Sequence, residues 1–303
     1  MKRVALFLIT NLAAVAMLTF VTALVCGYFG VDISQIAGDT GYLPLLGMAF
    51  LMGMVGSVIS LFSSKAMVKV SMKCRTIDGT EGETERWLVE TVRDLSSRAG
   101  LRMPEVAIYP GAANAFATGA FKNSALVAVS TDIMTQMTRE ELRAVLGHEM
   151  SHVRNGDMVT LSLTQGVINT FCIFFAYVIA GIVQGALSGG KERRSSSRGG
   201  NGLYYMTVQL CQMVFGVFAS IVVMWYSRRR EFAADAGSAE LLGSAVPMVS
   251  ALRRLGGLTP GKLPESMKAF GISAKIPSAF ASLFSSHPPL EERIAALRTW
   301  TPS

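Results

Sequence analysis

Four stretches of this chain, residues 4–26, 43–62, about 158–187 and 203–226, contain no Asp, Glu, Lys or Arg. Each reaches the roughly 20 residues that an α-helix needs to cross the ~30 Å hydrocarbon core of a bilayer. The chain is therefore expected to be an integral membrane protein with about four transmembrane helices. Composition agrees: charged residues make up only 16% and mean hydropathy is +0.40, where an average soluble domain is about 25% charged. A wholly soluble chain and an intrinsically disordered one are both excluded.

Flanking charges set the orientation. Lys2 and Arg3 precede the first block, Lys65, Lys69, Lys73 and Arg75 follow the second, and the loop between them carries Asp32 and Asp39 but no basic residue. By the positive-inside rule both ends of this hairpin are cytoplasmic, and the soluble part that follows faces the same way. A secretory signal peptide would share the basic start. The apolar run is longer than a ~7–15-residue signal core, however, and Val25 is bulky for a residue preceding a lipoprotein cleavage site at Cys26, so a retained anchor is expected. The third and fourth blocks flank SGGKERRSSSRGG. Two full crossings are the reading taken; they would leave Lys191, Arg193, Arg194 and Arg198 outside, against the rule, whereas a shallow or protein-buried hairpin removes that conflict.

The net charge of +7 collects beside apolar segments, where it meets lipid headgroups, and the Ser/Gly loop lacks the interleaved aromatic residues of a nucleic-acid tract. No nucleic-acid partner is expected. Cys26, Cys74, Cys172 and Cys211 are widely spaced, which indicates neither a disulfide framework nor a Cys-type zinc site.

Between and after the apolar blocks the composition becomes that of a soluble domain. Trp87, Leu88, Val92 and Leu95 recur at helical spacing in residues 83–99, with Gly100 as the stop. Short apolar runs at 106–109, 114–119 and 125–129 predict two or three strands. Thr138 followed by Glu141 is a capping box opening a helix that runs to Gly156. A further helix begins at Ser227 and carries EFAAD; a Gly/Pro-rich linker (256–264) and two short helical segments, the second Leu290–Arg298, complete the chain. The expected organisation is a transmembrane hairpin (1–63), a first soluble part (64–156), a transmembrane or membrane-embedded hairpin (157–227) and a second soluble part (228–303).

Chemistry concentrates in His148-Glu149-Met150-Ser151-His152. Residues four apart share a helix face, so both imidazoles can grip one ion while Glu149 projects beside them. A catalytic zinc requires a third protein ligand and one open position. Asp157, five residues beyond His152, reads as a residue that caps or ends the helix at the membrane boundary rather than one that reaches back. Glu231 and Asp235 again stand four apart on a helix, so one carboxylate can bind the metal while the other orients a ligand imidazole.

HEMSH, EFAAD beyond a hydrophobic hairpin, and then SHPPLEERI resemble the HtpX branch of the membrane-bound zinc endopeptidases, a group that includes the CAAX prenyl proteases. Two N-terminal spans, NAFATG before the metal helix, the inserted hairpin and the HPP segment follow in the family's order. The resemblance implies a zincin-like, gluzincin-type catalytic domain, mainly α-helical with a small β-sheet, in a bacterial inner membrane. It implies one zinc ion per chain held by His148, His152 and Glu231, with Glu149 as general base and acid and Asp235 in support. It further implies that His287 and Arg293 stabilise the oxyanion or the substrate carbonyl, and that Asn114 and Phe116 lie near the cleft on a strand that pairs with extended substrate. The role implied is cleavage of misfolded or damaged membrane proteins. A CAAX-type processing protease and a catalytically silent zinc-stabilised scaffold are the rival readings. A transporter is disfavoured because the four blocks carry no ionisable residue along which a substrate could pass.

Overall fold

The computed structural model describes residues 42–187, 198–257 and 287–302. The first apolar block and Cys26 lie outside the described residues, as do residues 188–197 of the Ser/Gly loop and most of the Gly/Pro-rich linker. The described chain forms two compact units. One comprises its residues up to Val58 together with Leu163–Ser220, and the other comprises those of Ile59–Ser162 and Ile221–Ser303.

The second apolar block forms helix α1 (Tyr42–Ser71), which outruns the uncharged segment by nine residues. Lys65 and Lys69 therefore sit on helix rather than loop, and both pair with Glu105, Lys65 at 2.7 Å. The third block forms α5 (Asp157–Leu187). The fourth forms the first part of α6 (Arg198–Leu242), a single helix of 45 residues, or about 67 Å at 1.5 Å per residue. The sequence suggested a fresh helix at the basic run 228–230. In fact the backbone continues unbroken, because no Gly or Pro interrupts it between Gly216 and Gly237. Among the described residues three helices are thus long and apolar enough to cross a membrane.

Within the first unit, α1 and α5 approach closely where side chains are small. A Cβ on Gly53 would lie 2.6 Å from the Thr170 backbone nitrogen, and one on Gly166 would lie 2.6 Å from Met54 Sδ. The nearby hydroxyls of Ser57 and Thr170 donate within their own helices, to the carbonyls of Gly53 and Gly166, so neither is left without a partner where no water is at hand.

The second unit is built on a four-stranded sheet of β1 (Arg75–Ile77), β2 (Glu105–Tyr109), β3 (Ala115–Thr118) and β4 (Leu126–Ser130), in the order β1-β2-β4-β3. β2 and β4 run parallel, with Val106 beside Val127; β1 and β3 are antiparallel to their neighbours. Of the two or three strands expected in these runs, all three are present. β1 was not anticipated, since three residues after a basic run give no alternation to read. Alternation assigns the faces. Val106, Ile108, Val127 and Val129 face a helical layer of α2 (Glu83–Arg98), α4 (Arg139–Asn155) and α7 (Val246–Gly257), where Leu88, Leu95, Leu146, Met150, Met248 and Leu252 are buried. Ala107, Tyr109, Leu126 and Ala128 form a smaller cluster on the other face. The six-residue helix α3 (Thr131–Gln136) leads from β4 into α4, and α8 (Leu290–Arg298) closes the layer through Leu297.

Candidate metal centre

Helix α4 is fixed at both ends. Thr138 Oγ1 accepts from the Glu141 N–H at 3.2 Å and Glu141 Oε2 accepts from the Thr138 N–H at 2.9 Å, so two otherwise orphaned donors are satisfied reciprocally. At the other end Gly156 adopts a left-handed conformation (φ 68°, ψ 37°), which a side chain would disfavour. Between these caps His148 and His152 lie one above the other. Their rings are nearly perpendicular with centroids 4.7 Å apart, and their Nε2 atoms are 3.1 Å apart.

Helix α6 crosses α4 closely enough for its own carboxylates to reach these rings. A Cβ on Gly147 would meet Ser238 Oγ at 2.9 Å, and one on Gly237 would meet Ser151 Oγ at 2.5 Å. Ser238 then bonds the Ala144 carbonyl across the gap at 2.7 Å. This crossing puts Glu231 Oε2 3.6 Å from His148 Nε2 and Glu231 Oε1 3.3 Å from His152 Nε2. Asp235, one turn on, accepts from His148 Nδ1 at 2.8 Å.

These three residues could hold a metal ion. Two donors each about 2.1 Å from a tetrahedral ion stand about 3.4 Å apart; the two Nε2 atoms are 3.1 Å apart, and the Glu231 carboxylate approaches His152 with one oxygen at 3.3 Å and His148 with the other at 3.6 Å, all near that value. The remaining ring nitrogens face carboxylates, so their protons reside there and each Nε2 presents a lone pair to the common point. A proton on one of these nitrogens bridges them as a hydrogen bond at 3.1 Å, and a metal ion that replaces it would meet both lone pairs. The donor set thus fits zinc.

Glu149 accepts from the Ala117 N–H of β3 at 2.9 Å. Burial raises its pKa, against the pull of the neighbouring imidazoles. This main-chain contact ties the sheet's edge strand to the site and could not be read from sequence, because it depends on backbone rather than on a side chain. Phe116 was expected near the cleft. Its ring instead packs on Tyr109, centroids 5.4 Å apart, within the cluster on the far face of the sheet, since alternation turns residues 115 and 117 towards α4 and 116 away. The backbone of Asn114 is absorbed by β4: its N–H donates to Ser130 Oγ at 3.0 Å and its carbonyl accepts from the Ser130 N–H at 2.9 Å.

His287 and Arg293 do come to the site. His287 is exposed and its Nδ1 lies 2.7 Å from Glu231 Oε2. Arg293, expected to face substrate, is buried and grips Asp235 through Nε–Oδ2 (2.8 Å) and Nη2–Oδ1 (2.6 Å), with Nη1 3.2 Å from Glu231. Burial works against its charge, but the hydrogen bonds to Asp235 keep its pKa above the usual range. The reading of Asp157 as a mere helix terminator is corrected: its Oδ2 accepts from His152 Nδ1 at 2.7 Å. The glycine just before it was the available signal. A left-handed residue turns the chain back, where a continuing helix would have carried position 157 off the face of His152.

Residues 83–301 match the model of peptidase family M48, a range that contains every residue of this cluster. The chain belongs to peptidase family M48. It is 54% identical over 303 residues to the protease HtpX homolog of Herminiimonas arsenicoxydans, with 99% of each chain covered, and 50% identical over 300 residues to that of Bordetella pertussis, with 98% of each covered. It is an HtpX-type member of the family. The fold is also that of S. mikatae Ste24p, with a TM-score of 0.56 at 17% identity; the match covers 96% of this chain and spans 66% of the length of that one. Family membership, the His-His-Glu cluster and the three long apolar helices make the protein a membrane metalloprotease.

Proposed function

We propose that the protein is a zinc-dependent endopeptidase of a bacterial inner membrane, with its site facing the cytoplasm, that cuts misfolded or damaged membrane proteins. The observation that carries this reading is the convergence of His148, His152 and Glu231 beside the buried carboxylate of Glu149. A purely structural zinc site is closed by four protein ligands and has no use for a base. Orientation rests on the basic residues that precede the first apolar block and follow the second. The names of the HtpX relatives support the protease role.

A zinc ion bound here supplies Lewis acidity towards water and the scissile carbonyl. Glu149 accepts the proton of the attacking water and returns it to the departing nitrogen, a task suited to a carboxylate whose pKa burial has raised. Asp235 and Asp157 hold the two imidazoles with Nε2 inward. Arg293 holds Asp235, and its charge also offsets that of Glu231. β3 ends the sheet, so an extended substrate could add along its outer edge with the reacting carbonyl near Glu149.

The test is cleavage of an unfolded membrane protein by purified wild type and Glu149→Gln, with zinc quantified in the same samples. Stoichiometric zinc in both, with hydrolysis reduced at least ~100-fold in the variant, is the expected result. Equal rates would remove Glu149 from its role. Cleavage restricted to a prenylated peptide would favour the CAAX-type reading.

A further inference from the structure

Asp157 is 2% exposed, and both of its carboxylate oxygens are engaged. Oδ2 accepts from His152 Nδ1 at 2.7 Å, and Oδ1 pairs with the guanidinium of Arg230, the residue just before Glu231 on α6. On the other imidazole the arrangement repeats, with His148 Nδ1 on Asp235 and Asp235 on Arg293. Each metal-binding ring is therefore backed by an Asp that is itself backed by an Arg. The two relays differ in origin. Asp235 and Arg293 come from α6 and α8, whereas Asp157 is the first residue of α5 and Arg230 stands where α6 leaves its apolar segment.

We propose that Asp157 is a positioning residue for His152, held by Arg230, that fixes the ring with its proton on Nδ1 and Nε2 turned towards His148 and Glu231. The backbone supports a dedicated placement. In a continuing helix position 157 would lie about 140° around the axis from His152; the left-handed Gly156 folds it back onto the ring. An imidazole without such an acceptor can rotate or place its proton on Nε2, and either change removes the lone pair from the metal. The start of α5 and the apolar exit of α6 thus take part in assembling the site. This inference rests on His152 being a zinc ligand.

The test uses the full chain purified in detergent, with zinc affinity read by competition against a chromophoric chelator and geometry read from the visible bands of the cobalt-loaded protein. Asp157→Ala is expected to weaken zinc ~10–100-fold and to shift the cobalt bands at saturation. Asp157→Asn, which keeps an acceptor oxygen for Nδ1–H, should weaken zinc by less than about tenfold and retain the wild-type bands. If Asp157→Ala does not fold, Asp157→Ser, whose short hydroxyl does not reach the ring, takes its place. An alanine variant with a lowered melting temperature but wild-type affinity and spectrum would overturn the proposal and leave Asp157 as a partner of Arg230 only. Equal loss of zinc in the Ala and Asn variants would overturn it too. Wild type that binds no zinc would instead sink the parent reading.

Discussion

Along the single helix α6, residues 203–226 and residues 231–242 show opposite patterns of burial. In the first stretch Tyr205, Met206, Met213, Phe218 and Trp225 are at least half exposed, Phe218 at 62%. In the second, Glu231, Asp235 and Ser238 are buried, at 5%, 2% and 0% exposed. A continuous exposed apolar surface of that extent would aggregate a water-soluble protein, so the first stretch makes physical sense only with lipid as its solvent. Unpaired buried carboxylates would be equally untenable, and the second stretch makes sense only because each meets a partner, Asp235 on His148 and Arg293, Glu231 on the imidazoles. The helix carries the chain from one solvent to another, and what stabilises a residue at one end would destabilise it at the other.

The largest expected effect comes from emptying the polar end of its metal-binding oxygen. Glu231→Ala should weaken zinc by more than about 100-fold, since even partners one step further from a metal contribute ~10–100-fold; equilibrium dialysis of the purified protein measures it, and near-stoichiometric zinc would remove Glu231 from the ligand set. Next is Asp235→Ala, which leaves the buried Arg293 without its bidentate partner. A loss of ~3–5 kcal/mol is expected from breaking a buried pair on one side. Asp235→Asn should cost less in the same denaturant titration.

At the apolar end a charge should act in the reverse sense. Val214→Arg, near the middle of the lipid-facing stretch, is expected to cost ~2.5–3.5 kcal/mol in membrane insertion, and Val214→Leu close to nothing. An insertion assay showing no difference would mean that this stretch does not meet lipid. The smallest effect separates metal-linked stability from ordinary capping. Burial opposes ionisation of Glu141, yet hydrogen bonds from the Thr138 N–H and Ser250, with Arg254 nearby, hold its pKa below the usual 4.5. A depressed folded-state pKa contributes stability that is complete above about pH 4.5 and is lost as pH falls through the lower folded value. Metal-free protein should therefore show a loss of about 1 kcal/mol across that acidic window, typical of a helix cap, and Glu141→Gln should flatten it.

Much of this was legible in the residues. The spacing of His148 and His152, the capping box at Thr138 and Glu141, and the pairing of Glu231 with Asp235 are local regularities of a 3.6-residue period, and the structure keeps them. Features of opposite origin were not legible. β1 is three residues long and owes its conformation to Arg75–Ile77 lying against β2, not to any pattern of its own. The packing of Phe116 on Tyr109 was not legible, because a motif fixes which residues stand on a strand but not which sheet face each side chain takes. Arg293 was implied by the resemblance to stabilise the oxyanion or the substrate carbonyl, and nothing near it in the chain shows that it is buried against Asp235, 58 positions earlier.

The sequence by itself therefore determined which segments are apolar enough to cross a membrane and the helix that carries the two histidines, because these depend on composition and short-range periodicity; between Glu231 and Asp235 it left the third donor open. Only the tertiary structure decided which carboxylate braces which ring, that Arg293 and Arg230 stand behind them, and that the edge strand reaches Glu149. Those depend on the closeness of α4 to α6 at Gly147 and Gly237 and on the left-handed turn at Gly156. The physical reason is range. Helical periodicity is settled within a few residues, whereas a buried charge is tolerated only where distant parts of the chain bring its partner within hydrogen-bonding distance.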